Sequence, residues 1–230
     1  IHSIWMDEFG VAYLNGSTLN GGGILFADVA TTPGSPVYLG RGAQIYSHDS
    51  FSRGDLGFSF EIGAGQFSIY DVSDKTNVLP LASQNTPGFA AHNGWLSDDG
   101  KTLFTTDETG DAPVTSYDIS DLQDIKELDQ FRPQATIGTG VIPHNVHPWQ
   151  DWLIVSYYTD GCILVDGSRP ENLIEVGNFD TYVPTNTGFA GAWGVYPYLP
   201  SGLVLVSDIN NGMILGLPNV AGYLGMQLDR

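Results

Sequence analysis

A repeated segment constrains the fold of this chain more than any other feature. A histidine beside a small polar residue occurs at His2, His48, His92 and His144, and Trp193 takes the corresponding place in a fifth copy, so the steps are 46, 44, 52 and 49 residues. Three hydrophobic runs separated by turns follow each histidine, and the third ends at an aspartate. Four short strands in 40 to 50 residues are typical of a β-propeller blade, whereas tandem sandwiches need units roughly twice as long.

The repeats therefore predict an all-β chain built as a β-propeller of four-stranded blades. We expect a single propeller domain over residues 1–230, with blades at about 1–47, 48–91, 92–143, 144–191 and 192–230. Two forms of ring are open, one closed by these five repeats and a larger ring of six or seven blades. Because the chain begins directly inside a repeat, we expect a processed or truncated product that associates with missing blades or with another chain.

Charge and cysteine content exclude several classes of function. There are 26 acidic and 8 basic residues, which gives a net charge of −18 and excludes nucleic acid as an expected partner. Cys162 is the only cysteine, so the chain has no internal disulfide and no zinc site built on several thiolates. No uninterrupted apolar stretch reaches about 18 residues, and no transmembrane segment is predicted.

Several segments resemble a known family. Ile163-Leu164-Val165-Asp166 is similar to the LVIVD repeat, and Ala91-His92-Asn93-Gly94-Trp95 with Pro143-His144-Asn145 is similar to segments of the choice-of-anchor B family. The likeness runs over essentially the whole chain. The resemblance implies a β-propeller that is exported, bacterial in type, and extracellular or held at the cell surface. It implies no established catalytic activity or ligand.

The function favoured by these observations is an exported binding or scaffold module whose ligand is unknown. Its partner would be a protein or a glycan at the cell surface. No catalytic residue is predicted, and no Gly-x-Ser-x-Gly elbow occurs. The predicted binding residues are the ones that follow the repeated histidines, together with the fifth-copy tryptophan, namely Asp49, Asn93, Asn145 and Trp193.

A metal-dependent enzyme of the copper type is the alternative. The first strand of a propeller blade lies nearest the axis, so His2, His48, His92 and His144 are expected to face a common channel. Neutral imidazoles from separate strands are good ligands for copper, zinc, iron or nickel. A structural role, in which each ring bonds to a neighbouring blade, is also open. His147 is expected to point to the opposite side, before a surface turn at Pro148-Trp149, and is not a ligand candidate.

Acidic residues suggest two further hypotheses. A glycoside hydrolase would use a pair of carboxylates at the mouth of the channel. The candidates are Asp49, Glu61, Asp107, Glu108 and Asp208. The aspartates that end the third strands are expected to accept hydrogen bonds from the backbone of the next turn. Calcium in those turns is the alternative, so the cofactor question is open between a transition metal and calcium.

Overall fold

The structure is a computed structural model that describes residues 1–184 and 186–218, and nearly all regular secondary structure in this part of the chain is β-strand. Its strands form five antiparallel sheets, and within each sheet the strands are neighbours in chain order. One short 3-10 turn, Thr18–Asn20, is the helical segment of the described part. The all-β prediction is confirmed.

The sheets correspond to the predicted repeats. Sheet 1 contains β1 (Ile4–Met6), β2 (Val11–Leu14), β3 (Leu25–Asp28) and β4 (Val37–Arg41). Sheet 2 contains β5 (Asp49–Arg53), β6 (Leu56–Glu61), β7 (Gln66–Asp71) and β8 (Leu79–Asn85). Sheet 3 contains β9 (Ala91–Leu96), β10 (Thr102–Asp107), β11 (Val114–Asp118) and β12 (Lys126–Phe131). Sheet 4 contains β13 (Val146–Trp149), β14 (Trp152–Ser156), β15 (Cys162–Asp166) and β16 (Ile174–Phe179).

Sheet 5 has three strands in the described part of the chain. These are β17 (Ala192–Tyr196), β18 (Val204–Asp208) and β19 (Gly212–Gly216). A fourth strand of the fifth repeat would fall on residues 219–230, which lie outside the described residues.

The repeats also agree in backbone detail. In sheets 1 to 4 the register shifts once between the third and fourth strands, at Phe26/Ala27, Ile69/Tyr70, Ser116/Tyr117 and Leu164/Val165. The aspartate that ends each third strand then accepts a backbone N–H from two residues further on, as at Asp71 from Ser73 and Asp118 from Ser120. Hydrogen bonds from these serines lower the pKa of both carboxyl groups. These aspartates therefore form the Asx turns that the sequence predicts.

Burial decreases along each sheet from the inner strands to the outer one. The second strand of sheet 3, β10, is buried throughout, whereas its fourth strand, β12, is mostly exposed or half-buried. The same gradient separates β6 from β8 in sheet 2. Inner strands covered on both faces are therefore rich in Phe, Leu, Ile and Thr, and the outer strands carry more polar residues.

The chain divides into two compact units. Unit 1 comprises Ile1–Asn93 with Asp121–Ile125, and unit 2 comprises Gly94–Ser120 with Lys126–Arg230. Unit 1 packs Tyr13, Ile24 and Phe26 of sheet 1 against Tyr70 and Val72 of sheet 2.

Two core clusters in the described part of unit 2 each join neighbouring sheets. Phe104 and Val114 of sheet 3 pack with Leu153 and Val165 of sheet 4. Trp152 and Ile154 of sheet 4 pack with sheet 5 through Ala192, Val195, Val204 and Val206. Within the described ranges, we find no helix of the length and hydropathy that a membrane span requires.

Candidate functional site

The repeated histidines occupy equivalent positions at the starts of the first strands. The backbone N–H of His48 donates to Phe60 O over 2.8 Å, and that of His144 donates to Ser156 O over the same distance. His2 makes the corresponding bond to Asn15 O. The same backbone hydrogen bond therefore places these three imidazoles beside the ends of the second strands of their own sheets.

Three of the four histidines form one cluster in unit 1, which we call the imidazole stack (His2, His48 and His92). The ring centroids of His2 and His48 are 3.8 Å apart, and those of His48 and His92 are 4.3 Å apart. The three rings are tilted to one another, with His48 in the middle. A ring nitrogen of His48 and one of His92 lie within 4.8 Å of each other.

His48 is the most strongly perturbed member of the stack. Burial lowers its pKa to about 4, and the charge on His2 acts in the same direction against the opposing effect of Asp49. At neutral pH His48 is therefore an uncharged imidazole that carries a lone pair. Its Nδ1 atom is buried and has no hydrogen-bond partner in the described part of the chain.

A polar network holds the stack in place. Ser3 Oγ donates to the carbonyl of His48, and Asn15 Nδ2 donates to Ser3 Oγ. Asn93 Nδ2 donates to Asp49 Oδ2 over 3.2 Å. Two of the predicted binding residues, Asp49 and Asn93, therefore bond to each other and directly follow His48 and His92 in the chain.

His144 has different neighbours in unit 2, which we call the carboxylate–imidazole pair (Glu108 and His144). His144 Nε2 lies 3.5 Å from Glu108 Oε1, and the Tyr158 hydroxyl donates to the same oxygen over 2.6 Å. His144 is only 3 % exposed. The pair thus joins a nitrogen base, a carboxylate and a phenol within hydrogen-bonding reach.

Tyr158 is held in an unusual backbone conformation. Its φ is +33°, and its carbonyl accepts the N–H groups of Gly161 and Ala192 over 3.0 and 2.9 Å. A Cβ on Gly191 would lie 2.4 Å from that carbonyl oxygen, so glycine is required there. Burial, and then the bond to Glu108, raise the pKa of the Tyr158 phenol, so it remains a donor.

Aromatic side chains reach solvent next to the buried pair. The Trp193 ring lies 5.1 Å from the His144 ring and is 49 % exposed. Phe189 packs edge-on to Tyr158 at 5.4 Å and is 64 % exposed. Asn145 is fixed through its backbone, whose N–H donates to Ser156 Oγ. Trp193 and Asn145 therefore surround His144, as their positions in the repeats indicate.

Most of the remaining candidate carboxylates already hold their own sheets together. Glu61 accepts hydrogen bonds from Gln66, Ser68 and Tyr70 of β7. Asp208 accepts the backbone N–H groups of Asn210 and Asn211. Asp107 is fully buried. Among the glycosidase candidates, Glu108 contacts a histidine in its own unit.

His147 lies half-buried in β13, 5.0 Å from the Trp95 ring and 5.8 Å from the Tyr198 ring. The surface turn expected at Pro148-Trp149 is displaced, because both residues pair with β14 and the turn falls at Gln150-Asp151. Proline is tolerated here because β13 is the first strand of its sheet and so has a free edge within it.

Sequence reasoning missed Tyr158. A signal was present, because Glu108 and Tyr158 both lie just beyond the second strand of consecutive repeats. The contact between them follows from the positive φ of Tyr158, which sequence patterns do not reveal for a tyrosine.

The sheets and their repeated first strands define a β-propeller, and the comparisons with solved structures support this class. A protein from Lactobacillus plantarum has a TM-score of 0.78 at 14 % identity, covering 95 % of this chain and 67 % of its own. The periplasmic gluconolactonase of Pseudomonas aeruginosa has a TM-score of 0.72 at 15 % identity, covering 94 % of this chain and 65 % of its own.

A candidate 6-phosphogluconolactonase from Bacteroides fragilis has a TM-score of 0.70 at 15 % identity, covering 95 % of this chain and 66 % of its own. This chain thus spans about two thirds of the length of these proteins. At such identities the likeness shows the fold, so the β-propeller prediction is confirmed. The chain matches no family profile and no curated protein, so the finer likeness to LVIVD and choice-of-anchor B proteins gains no support from the comparisons.

Proposed function

We propose that this protein is a hydrolase that opens an uncharged sugar lactone or a similar cyclic ester. The observation that carries the proposal is the carboxylate–imidazole pair, in which buried His144 lies 3.5 Å from Glu108 and beside solvent-exposed aromatic rings. A histidine oriented by a carboxylate is the common general base for activating water or a hydroxyl group.

The chemistry requires one proton acceptor and one nucleophilic water. His144 would accept a proton from water at Nδ1, the ring nitrogen opposite the Glu108 contact, while the water oxygen attacks the lactone carbonyl carbon. The ring C–O bond then breaks, and the leaving alcohol oxygen takes the proton back from His144. Glu108 would stabilise the imidazolium formed in between, and the Tyr158 hydroxyl would fix the orientation of the carboxylate.

The net charge of the chain favours an uncharged substrate. Two of the structural neighbours are named for gluconolactone and 6-phosphogluconolactone. With a net charge of −18, this chain repels a phosphorylated substrate more than a neutral one. The exposed ring of Trp193 beside His144 offers a face on which the C–H groups of a sugar can stack. An uncharged lactone therefore fits better than its phosphate ester.

An exported binding or scaffold module is the competing function. The repeated segments that resemble choice-of-anchor B proteins favour it, and with them an extracellular or cell-surface location and a protein or glycan partner. These remain predictions. The two functions differ in whether the purified protein turns over a substrate.

A direct assay separates them. Hydrolysis of D-glucono-1,5-lactone, with the spontaneous rate subtracted, is measured by pH-stat at pH 6.5 for the wild type, His144→Gln and the control His147→Gln. We expect turnover by the wild type and the control, and loss in His144→Gln. A wild-type rate equal to buffer across a panel of five- and six-membered uncharged lactones would reject the hydrolase and favour the binding module.

A further inference from the structure

The imidazole stack of unit 1 has no role in the reaction proposed for His144. We infer that His48 and His92 provide two nitrogen ligands for a divalent transition metal ion, with His48 as the central ligand and the His2 ring packed against it.

Geometry is the first support. The three rings follow one another with centroid separations of 3.8 and 4.3 Å, and nitrogens of His48 and His92 are within 4.8 Å. Two imidazole nitrogens bound about 2.0–2.1 Å from one ion at a tetrahedral angle lie about 3.4 Å apart, so the pair has to close by at most ~1.4 Å. Small side-chain rotations achieve such a movement without a change in the backbone.

The unmet bonding capacity of His48 is the second support. Its Nδ1 is buried with no partner in the described chain, and a buried polar atom in that state destabilises the fold. Both sides of its backbone are fixed, by the N–H bond to Phe60 and by the Ser3 bond to its carbonyl. The His48 ring is thus held in place, and a metal ion bound at Nδ1 would supply the partner that this nitrogen lacks.

Charge and access complete the argument. Asp49 adjoins His48 and is fixed by Asn93, so a carboxylate stands close enough to favour a cation. His2 is exposed and lies against His48, which leaves an approach from solvent. Imidazole ligands suit copper and zinc, and Cu²⁺ binds most tightly along the divalent series.

The experiment uses the full chain, stripped with a chelator, and Cu²⁺ alone as the probe. Competition titration gives the stoichiometry and Kd, and electron paramagnetic resonance detects hyperfine coupling to ligand nitrogens. We expect one equivalent of Cu²⁺ with imidazole nitrogen coupling. We also expect an affinity lowered about 100-fold or more in His48→Gln, which removes a ligand, and about 10-fold in His2→Gln, which removes a neighbouring ring, because changes outside the ligands cost about 10- to 100-fold.

The matched control is His147→Gln, a histidine outside the stack, which should bind copper like the wild type. Circular dichroism checks that each variant is folded. Less than a tenth of an equivalent bound by the folded wild type would overturn the inference, and so would equal affinity in folded His48→Gln. Lactone hydrolysis by the metal-free wild type is measured separately, so that a failure of the proposed hydrolase is distinguished from a failure of the metal site.

Discussion

The two histidine clusters begin from the same backbone position and end in different chemistry. His48 in unit 1 and His144 in unit 2 each donate a backbone N–H over 2.8 Å to the second strand of their own sheet. His48 is then packed between two other imidazoles, whereas His144 faces a carboxylate held by a phenol. The propeller repeat thus supplies the position of the imidazole, and the neighbouring side chains determine whether it suits metal binding or proton transfer.

The largest expected effect concerns His144. In His144→Gln we expect kcat for lactone hydrolysis to fall by about 10²–10⁴, because removal of a positioned general base removes the proton acceptor. Copper binding is measured in the same variant, so that the effects on the two histidine clusters can be compared. A variant that kept more than a tenth of wild-type kcat would show that His144 is not the base.

A smaller effect on kcat is expected for Glu108, the carboxylate that orients His144. Glu108→Gln keeps the shape of the side chain but removes its charge, and we expect kcat to fall about 10- to 100-fold. Tyr158→Phe, which removes the 2.6 Å hydrogen bond to Glu108, should lower kcat less, about 3- to 10-fold. Steady-state kinetics test both, and an effect confined to KM would assign Glu108 to substrate binding instead.

Backbone strain in unit 2 can be tested separately. Gly191→Ala would place a Cβ 2.4 Å from Tyr158 O at a φ of +83°, and we expect a loss of stability of about 1–3 kcal/mol. Gly216→Ala is the control, since a Cβ there has open space and its φ is not in the left-handed region. Urea unfolding compares the two variants. Equal free energies of unfolding for the two variants would mean that the Tyr158 carbonyl moves away from the added Cβ without loss of stability.

The smallest effect is a pH dependence that belongs to the imidazole stack. Since the pKa of His48 falls from 6.5 unfolded to about 4 folded, the unfolded chain binds more protons between these values. Stability is therefore full above pH 6.5 and declines as pH falls toward 4. His2, Asp49, His92 and Tyr46 face the ring.

Urea unfolding of metal-free protein at pH 7 and pH 5 measures that decline. We expect a loss attributable to His48 of about 1–2 kcal/mol, after allowance for solvent screening, and a shallower decline in His48→Gln. An equal decline in stability for the wild type and His48→Gln would show that protonation of the His48 ring does not destabilise the folded state.

The sequence by itself determined the repeat and, through it, the strands, the turn aspartates and the starting position of each histidine. These features depend on local patterns, namely alternating burial, glycine-rich turns and Asx bonds, which act within about 50 residues. The similar spacing of the repeated segments was sufficient to predict the β-propeller class.

Only the tertiary structure decided which side chain faces each histidine. The contact of Tyr158 with Glu108 spans 50 residues and depends on a positive φ stabilised by Gly191, another 33 residues along the chain. The stacking of His2, His48 and His92 likewise depends on how sheets 1 and 2 and the start of β9 pack within unit 1. Such contacts arise from the packing of side chains between repeats, which a pattern confined to a single repeat does not contain.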